Sequence, residues 1–117
     1  MRASILQTLF GGKSAEAVLL FLYHYGEGYG RAIARDFSVS LDSVQRQLDK
    51  LEQVGVLVCK RQGRTLVYSW NAKFTLANKI KDVVGHVYNS LSISERAMLF
   101  TQRHQPRAKD KPVLPPV

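Results

Sequence analysis

The chain has 117 residues, 45% of them hydrophobic and 22% charged, a size and balance that suit one soluble globular domain with a modest core. No apolar run approaches the roughly 18 residues of a membrane span, and the opening MRASILQTLFGG has neither the apolar stretch nor the small-residue cleavage site of a secretory signal, so the expected location is cytoplasmic. Seventeen Lys and Arg against nine Asp and Glu leave a net charge of +8, the surplus expected of a domain with a polyanionic partner, nucleic acid above all.

Residues 3–10 place Ile5, Leu6, Leu9 and Phe10 on one face of a short helix that Gly11 and Gly12 end. Ser14 reads as the N-cap of the next helix, with Glu16 at the positive end of its dipole. Ala17, Val18, Leu20, Phe21 and Leu22 leave that helix apolar almost all round, so it belongs at the centre. Gly26, Gly28 and Gly30 make a turn with a two-residue strand expected at Tyr29; without a following Lys-Ser/Thr they are no phosphate loop. RAIARDF (31–37) is a short third helix with Ile33, Ala34 and Phe37 inward. After the turn 38–40, Ser40 caps a fourth helix, whose Leu41, Val44, Leu48 and Leu51 form a buried stripe that Gly55 stops.

Two β-rich runs follow, VLVCKR (56–61) and TLVYSW (65–70), joined through Gln62-Gly63-Arg64 as a hairpin. From about Phe74 to Leu91, apolar residues at 76, 77, 80, 83, 84, 87, 88 and 91 predict the longest helix. Residues 1–94 thus form one domain. Residues 95–117, basic and holding all four prolines, are expected to be a largely disordered tail.

The order helix, helix, helix-turn-helix, hairpin, helix is that of a mainly α winged helix-turn-helix with a β-hairpin wing. The fourth helix (about 40–54) turns its stripe to the core and presents Ser43, Gln45, Arg46, Gln47 and Lys50 outward. Arg bonds guanine bidentately and Gln bonds adenine, so this face suits the major groove of double-stranded DNA. A merely solvated helix face would look similar. The hairpin tip (about 60–65) tips the balance: Lys60, Arg61 and Arg64 form a cationic wing for the backbone or minor groove. Arg31 and Arg35 on the third helix add backbone contacts.

YGRAIARDFSVSLDSVQRQLDKLEQVGVLVCKRQGRTLVYSWN resembles the winged-helix core of ArsR-type bacterial transcriptional regulators. It is most similar to a branch whose members begin near LFGGKSAEAVLLFL and sometimes carry a fused nucleotidyltransferase. The shared features are the LF-G pair at 9–11, the RAIAR helix, the spacing SxxSVxRxLxxLExxGxL from Ser40 to Leu57, and a wing ending in Tyr68 and Asn71. The resemblance covers about residues 8–92. It implies a sequence-specific DNA-binding transcription factor, usually dimeric, with Ser43, Gln45, Arg46 and Lys50 facing the groove and Arg61 and Arg64 on the wing. The paired cysteines of the metal-sensing members are missing from SLDSVQRQL, so thiolate sensing there is unsupported.

No acid–base or nucleophile constellation suggests an enzyme, and no metal or other cofactor is expected. One cysteine, Cys59, excludes a disulfide framework and a thiolate cluster within the chain; it reads as a small apolar filler. His86 and Asp82 are one helical turn apart and read as a surface pair rather than ligands. The long helix carries more apolar surface than its own domain needs. With the first helix it forms the expected homodimer interface: Ile5, Leu6, Leu9, Ile80, Val84, Val87 and Leu91. Two other functions fit the pattern: a winged-helix protein–protein interaction module, and a sensor with a small-molecule pocket under Tyr23, Tyr25 and Tyr29.

Overall fold

The computed structural model describes residues 4–100. Within them the order is α1 (Ile5–Phe10), α2 (Lys13–Tyr25), β1 (Glu27–Gly28), α3 (Gly30–Phe37), α4 (Leu41–Gln53), β2 (Leu57–Gln62), β3 (Thr65–Trp70), α5 (Thr75–Ser90) and α6 (Ile93–Leu99). This is the winged helix-turn-helix order, with α3 and α4 as the helix pair and β2–β3 as the wing. No described helix is long and apolar enough to cross a membrane.

α2 is the axle. Ala15 and the whole run Ala17 to Leu22 are buried, so no side of this helix faces water along that stretch, and α1, α3, α4 and α5 all pack on it. Each large side chain so enclosed contributes roughly 1.5–3 kcal/mol. The helix starts at Lys13 with Gly12 as N-cap, so Ser14 lies inside the first turn and not at the cap. Glu16 in that turn does more than meet the dipole. Its carboxylate accepts the Ser4 hydroxyl at 2.5 Å and the Gln7 amide at 2.8 Å. That clamp, with buried Leu6, holds a six-residue α1 that would be marginal alone.

β3 is the central strand of a three-stranded antiparallel sheet in the order β1-β3-β2. β1 pairs Glu27 with Ser69 and Gly28 with Tyr68, so it precedes the expected Tyr29, which instead serves as the N-cap of α3. The wing strands pair from Leu57↔Trp70 to Gln62↔Thr65, leaving a two-residue turn, Gly63-Arg64, where a three-residue loop was expected. Gly63 at φ 64 occupies its first position, the conformation that tight hairpins require of glycine. Trp70 donates its indole N–H to the Leu22 carbonyl at 3.2 Å, fixing the sheet to α2.

The expected tail begins too early at residue 95. Ser92 and Glu95 form a reciprocal capping box that starts α6, and Phe100 is buried just beyond it. The Phe100 ring stacks on His24 at 3.9 Å and meets Tyr25 and Phe37 edge-on, both at 5.6 Å. His24 in turn shares a 2.6 Å hydrogen bond with Tyr88 of α5. Residues 101–117, the rest of the expected tail, lie outside the described residues.

α5 approaches α2 closely at Gly85, where a Cβ would stand 2.8 Å from Tyr23 Oη and 2.9 Å from two ring carbons. Alanine there gains about 1 kcal/mol of helix propensity but forces the ring aside, an overpacking cost of about 1–3 kcal/mol. Gly85→Ala is therefore predicted to lower the midpoint of thermal unfolding, and in a Tyr23→Ala background to raise it. A rise in both backgrounds would contradict the packing.

Candidate nucleic-acid interface

α4 begins at Ser40, whose hydroxyl accepts the Ser43 N–H at 3.1 Å and donates to Ser43 Oγ at 2.9 Å. The Ser43 hydroxyl keeps its own hydrogen to offer an acceptor. Val44 and Leu48 are fully buried and Leu51 partly so, as the stripe predicts; Leu41, its first member, stays at the exposed rim. At about 100° per residue, the side opposite Val44 and Leu48 carries Asp42, Arg46, Asp49, Lys50 and Gln53, all exposed. Arg46 and Lys50 make no ion pair among the described residues, so both cations are available to a ligand.

The two flanks of α4 are occupied differently. On one, Gln45 is half-buried and donates to Tyr68 Oη at 3.0 Å and to Asp49 Oδ1 at 3.2 Å. Tyr68 donates to the same carboxylate at 3.4 Å. With both amide hydrogens committed, Gln45 is a strut between helix and wing in the free chain. On the other flank, half-buried Gln47 and exposed Lys50 border a hollow toward α1 and α2.

Strand alternation sets the direction of the wing. Leu57, Cys59 and Arg61 share a face with Leu66, Tyr68 and Trp70. That face meets α4 through Tyr68, so Arg61 overhangs the α4 side. Lys60 stands on the opposite face with Val58 and Gln62, which divides the expected cluster of Lys60, Arg61 and Arg64. Arg64 occupies the turn itself. Arg31 and Arg35 are exposed one turn apart on α3. Arg46 and Lys50 are thus exposed on α4, and Arg61 is exposed on the pleat face of the wing that carries Tyr68.

Two of the residues expected between subunits are core residues: Leu6 and Val84 are fully buried within the chain. Ile80, Val87 and Leu91 are half-buried, whereas Ile5 and Leu9 are 60% and 63% exposed. Leu76 and Val83, at 54% and 41% exposure, fall on the helical face of Ile80 and Val87 and extend the uncovered apolar stripe. Their i, i+4, i+7, i+11 spacing in the sequence is the signal that finds them.

Burial pushes the Tyr68 phenol up to about 12, with the nearby Cys59 and Asp49 adding to the rise and the Gln45 hydrogen bond opposing it. An unfolded tyrosine ionises near 10. Folding therefore favours the protonated phenol, and its contribution to stability is present below pH 10 and is lost as pH rises toward 12. Tyr68→Phe is predicted to cost about 1 kcal/mol at pH 7 and to flatten the fall in stability between pH 10 and 12, measured by denaturant unfolding. Equal pH slopes in the two proteins would contradict this.

No protein-family model and no curated protein matches the chain. Among solved structures it is similar to the antimony-specific transcriptional repressor AntR, with a TM-score of 0.55 and 15% identity over 79% of this chain and 78% of that one. It is also similar to reduced AbfR bound to DNA (TM-score 0.52, 19% identity, 90% and 79% covered) and to disulfide-formed AbfR (0.52, 19%, 88% and 73%). These likenesses establish the winged-helix fold.

Proposed function

We propose that this protein is a sequence-specific DNA-binding transcriptional regulator of the ArsR-like kind, with no catalytic role. The observation that carries the reading is the Gln45–Tyr68 hydrogen bond, which joins two elements that each bear exposed cations. The open face of α4 offers Ser43, Arg46 and Lys50, and the wing offers Arg61 on the pleat face that Tyr68 ties to α4. That AntR is a transcriptional repressor and AbfR is seen bound to DNA supports the choice of partner.

In this reading α4 enters the major groove and Arg46 reads a base. Gln47 stands at the edge of the contact. Asp42 and Asp49 repel phosphates from the middle of the helix, which leaves the backbone to Arg31, Arg35, Lys60, Arg61 and Arg64. Gln45 acts by holding the wing. A homodimer through Ile5, Leu9, Leu76, Ile80, Val83, Val87 and Leu91 would set two α4 helices about 34 Å apart, one turn of DNA, on a pseudo-palindromic site.

The test begins with genomic selection of bound fragments, followed by salt titration of the best site. Arg46→Ala is predicted to lose about 1–3 kcal/mol on the selected site and to relax one base-pair preference. Arg64→Ala should weaken selected and random DNA alike and reduce the log–log salt slope by about 0.9. Equal losses on both DNAs for Arg46→Ala would contradict its role as a base reader. Leu76→Asp with Val83→Asp is predicted to give a folded monomer in sedimentation, and an unchanged dimer would move the interface elsewhere.

A further inference from the structure

We propose that the hollow between α1, α2 and α4 is a binding site for a small apolar monocarboxylate, and that its occupancy withdraws Lys50 from DNA. The hollow has a volume of about 170 Å³, with Phe10, Ala15, Leu19 and Leu51 as its apolar wall. An apolar cavity of about 150 Å³ holds a benzene-sized body, so the space suits an acyl or ring body of about six carbons. Among the described residues its polar lining comes from Lys50 and Gln47 of α4. The Lys50 ammonium has no carboxylate partner among the described residues, and the Gln47 amide can donate beside it.

Among the described residues, no acidic side chain lines the hollow. Glu16, next to Ala15 in sequence, commits its two oxygens to Ser4 and Gln7 of α1. One ammonium with one amide suits a single carboxylate; a multiply charged phosphate would leave charge unmatched against the apolar wall. The ligand and the DNA then compete for Lys50. Linkage makes the antagonism reciprocal: DNA weakens the ligand by the factor that the ligand weakens DNA. This regulatory half rests on the DNA-binding reading, whereas the binding half does not.

The full chain is titrated by NMR with butanoate, hexanoate, octanoate and, as neutral control, hexanol. Hexanoate is expected to shift amides near residues 10–19 and 47–54 saturably, in the millimolar range that ligands of so few atoms reach. Affinity should rise about fourfold per methylene up to hexanoate and then level as the space fills. Hexanol should bind about fivefold more weakly, and Lys50→Gln should erase that difference. Ala15→Leu, which fills the hollow, should abolish binding; Val54→Asp, a charge at the exposed mouth, should do so for the carboxylates alone. No saturation by about 50 mM, shifts elsewhere, or an unchanged preference in Lys50→Gln would overturn the site. Hexanoate should also weaken duplex DNA binding by the wild type and not by Val54→Asp. Ligand binding without such antagonism would overturn the regulatory half, and ligand binding by a chain that binds no DNA would retain the site while rejecting the DNA reading.

Discussion

A two-stranded ribbon is marginal in water on its own, and this wing has to keep its direction relative to the helix beside it. The junction of Tyr68, Gln45 and Asp49 supplies that constraint. Tyr68 is buried in the second wing strand, yet its hydroxyl reaches the flank of α4, where an amide donates to it and a carboxylate accepts from it. A buried phenol with its hydrogen bonds made costs little, and one without them costs about 1–3 kcal/mol. Poses of the wing that separate it from α4 are thereby disfavoured. Trp70, two residues further on, anchors the other end of the same strand to α2.

Each side of α4 consequently has a separate neighbour. Val44 and Leu48 meet the core, Gln45 meets the wing, and Gln47 borders the hollow next to α1 and α2. What remains open is a narrow strip in which Arg46 and Lys50 stand with Asp42, Asp49 and Gln53. If α4 enters DNA as proposed, mixed charge on that strip would favour selective contacts with base edges over indiscriminate attraction to phosphate, since a carboxylate accepts from cytosine and repels the backbone. In the proposed reading the net charge of +8 is divided in its consequences: the helix would discriminate and the wing would hold.

Much of this fold was legible because its periodicities are strong. The all-round apolar α2, the Val44–Leu48–Leu51 stripe and the β-branched and aromatic hairpin strands each match one template and no other. The misses have physical causes. Ser14 is a good cap residue, but two preceding glycines let the chain turn earlier. α6 is short and lies next to the basic, proline-bearing end, although Ser92 and Glu95 spell the capping box that begins it. Leu6 and Val84 look like their exposed neighbours in sequence, and only packing separates core from surface on a helix with a broad apolar face. The hydrogen bond of Gln45 is not legible in the sequence, because a polar side chain on a helix flank reads the same whether it faces water or a buried tyrosine 23 residues away. Lys60 and Arg61, adjacent in one strand, face opposite ways whatever the register; which of them shares the face of Tyr68 required the strand pairing, which a one-residue change of turn length alters.

DNA binding of the proposed kind requires α4 and the wing to form one docking surface. The most direct test is an NMR titration of the full chain with a short duplex, mapping which backbone amides shift. The account predicts concerted shifts across residues 43–50 and 61–66 with the same apparent dissociation constant. Shifts confined to α5 and α6, or helix shifts that saturate while the wing stays silent, would contradict it.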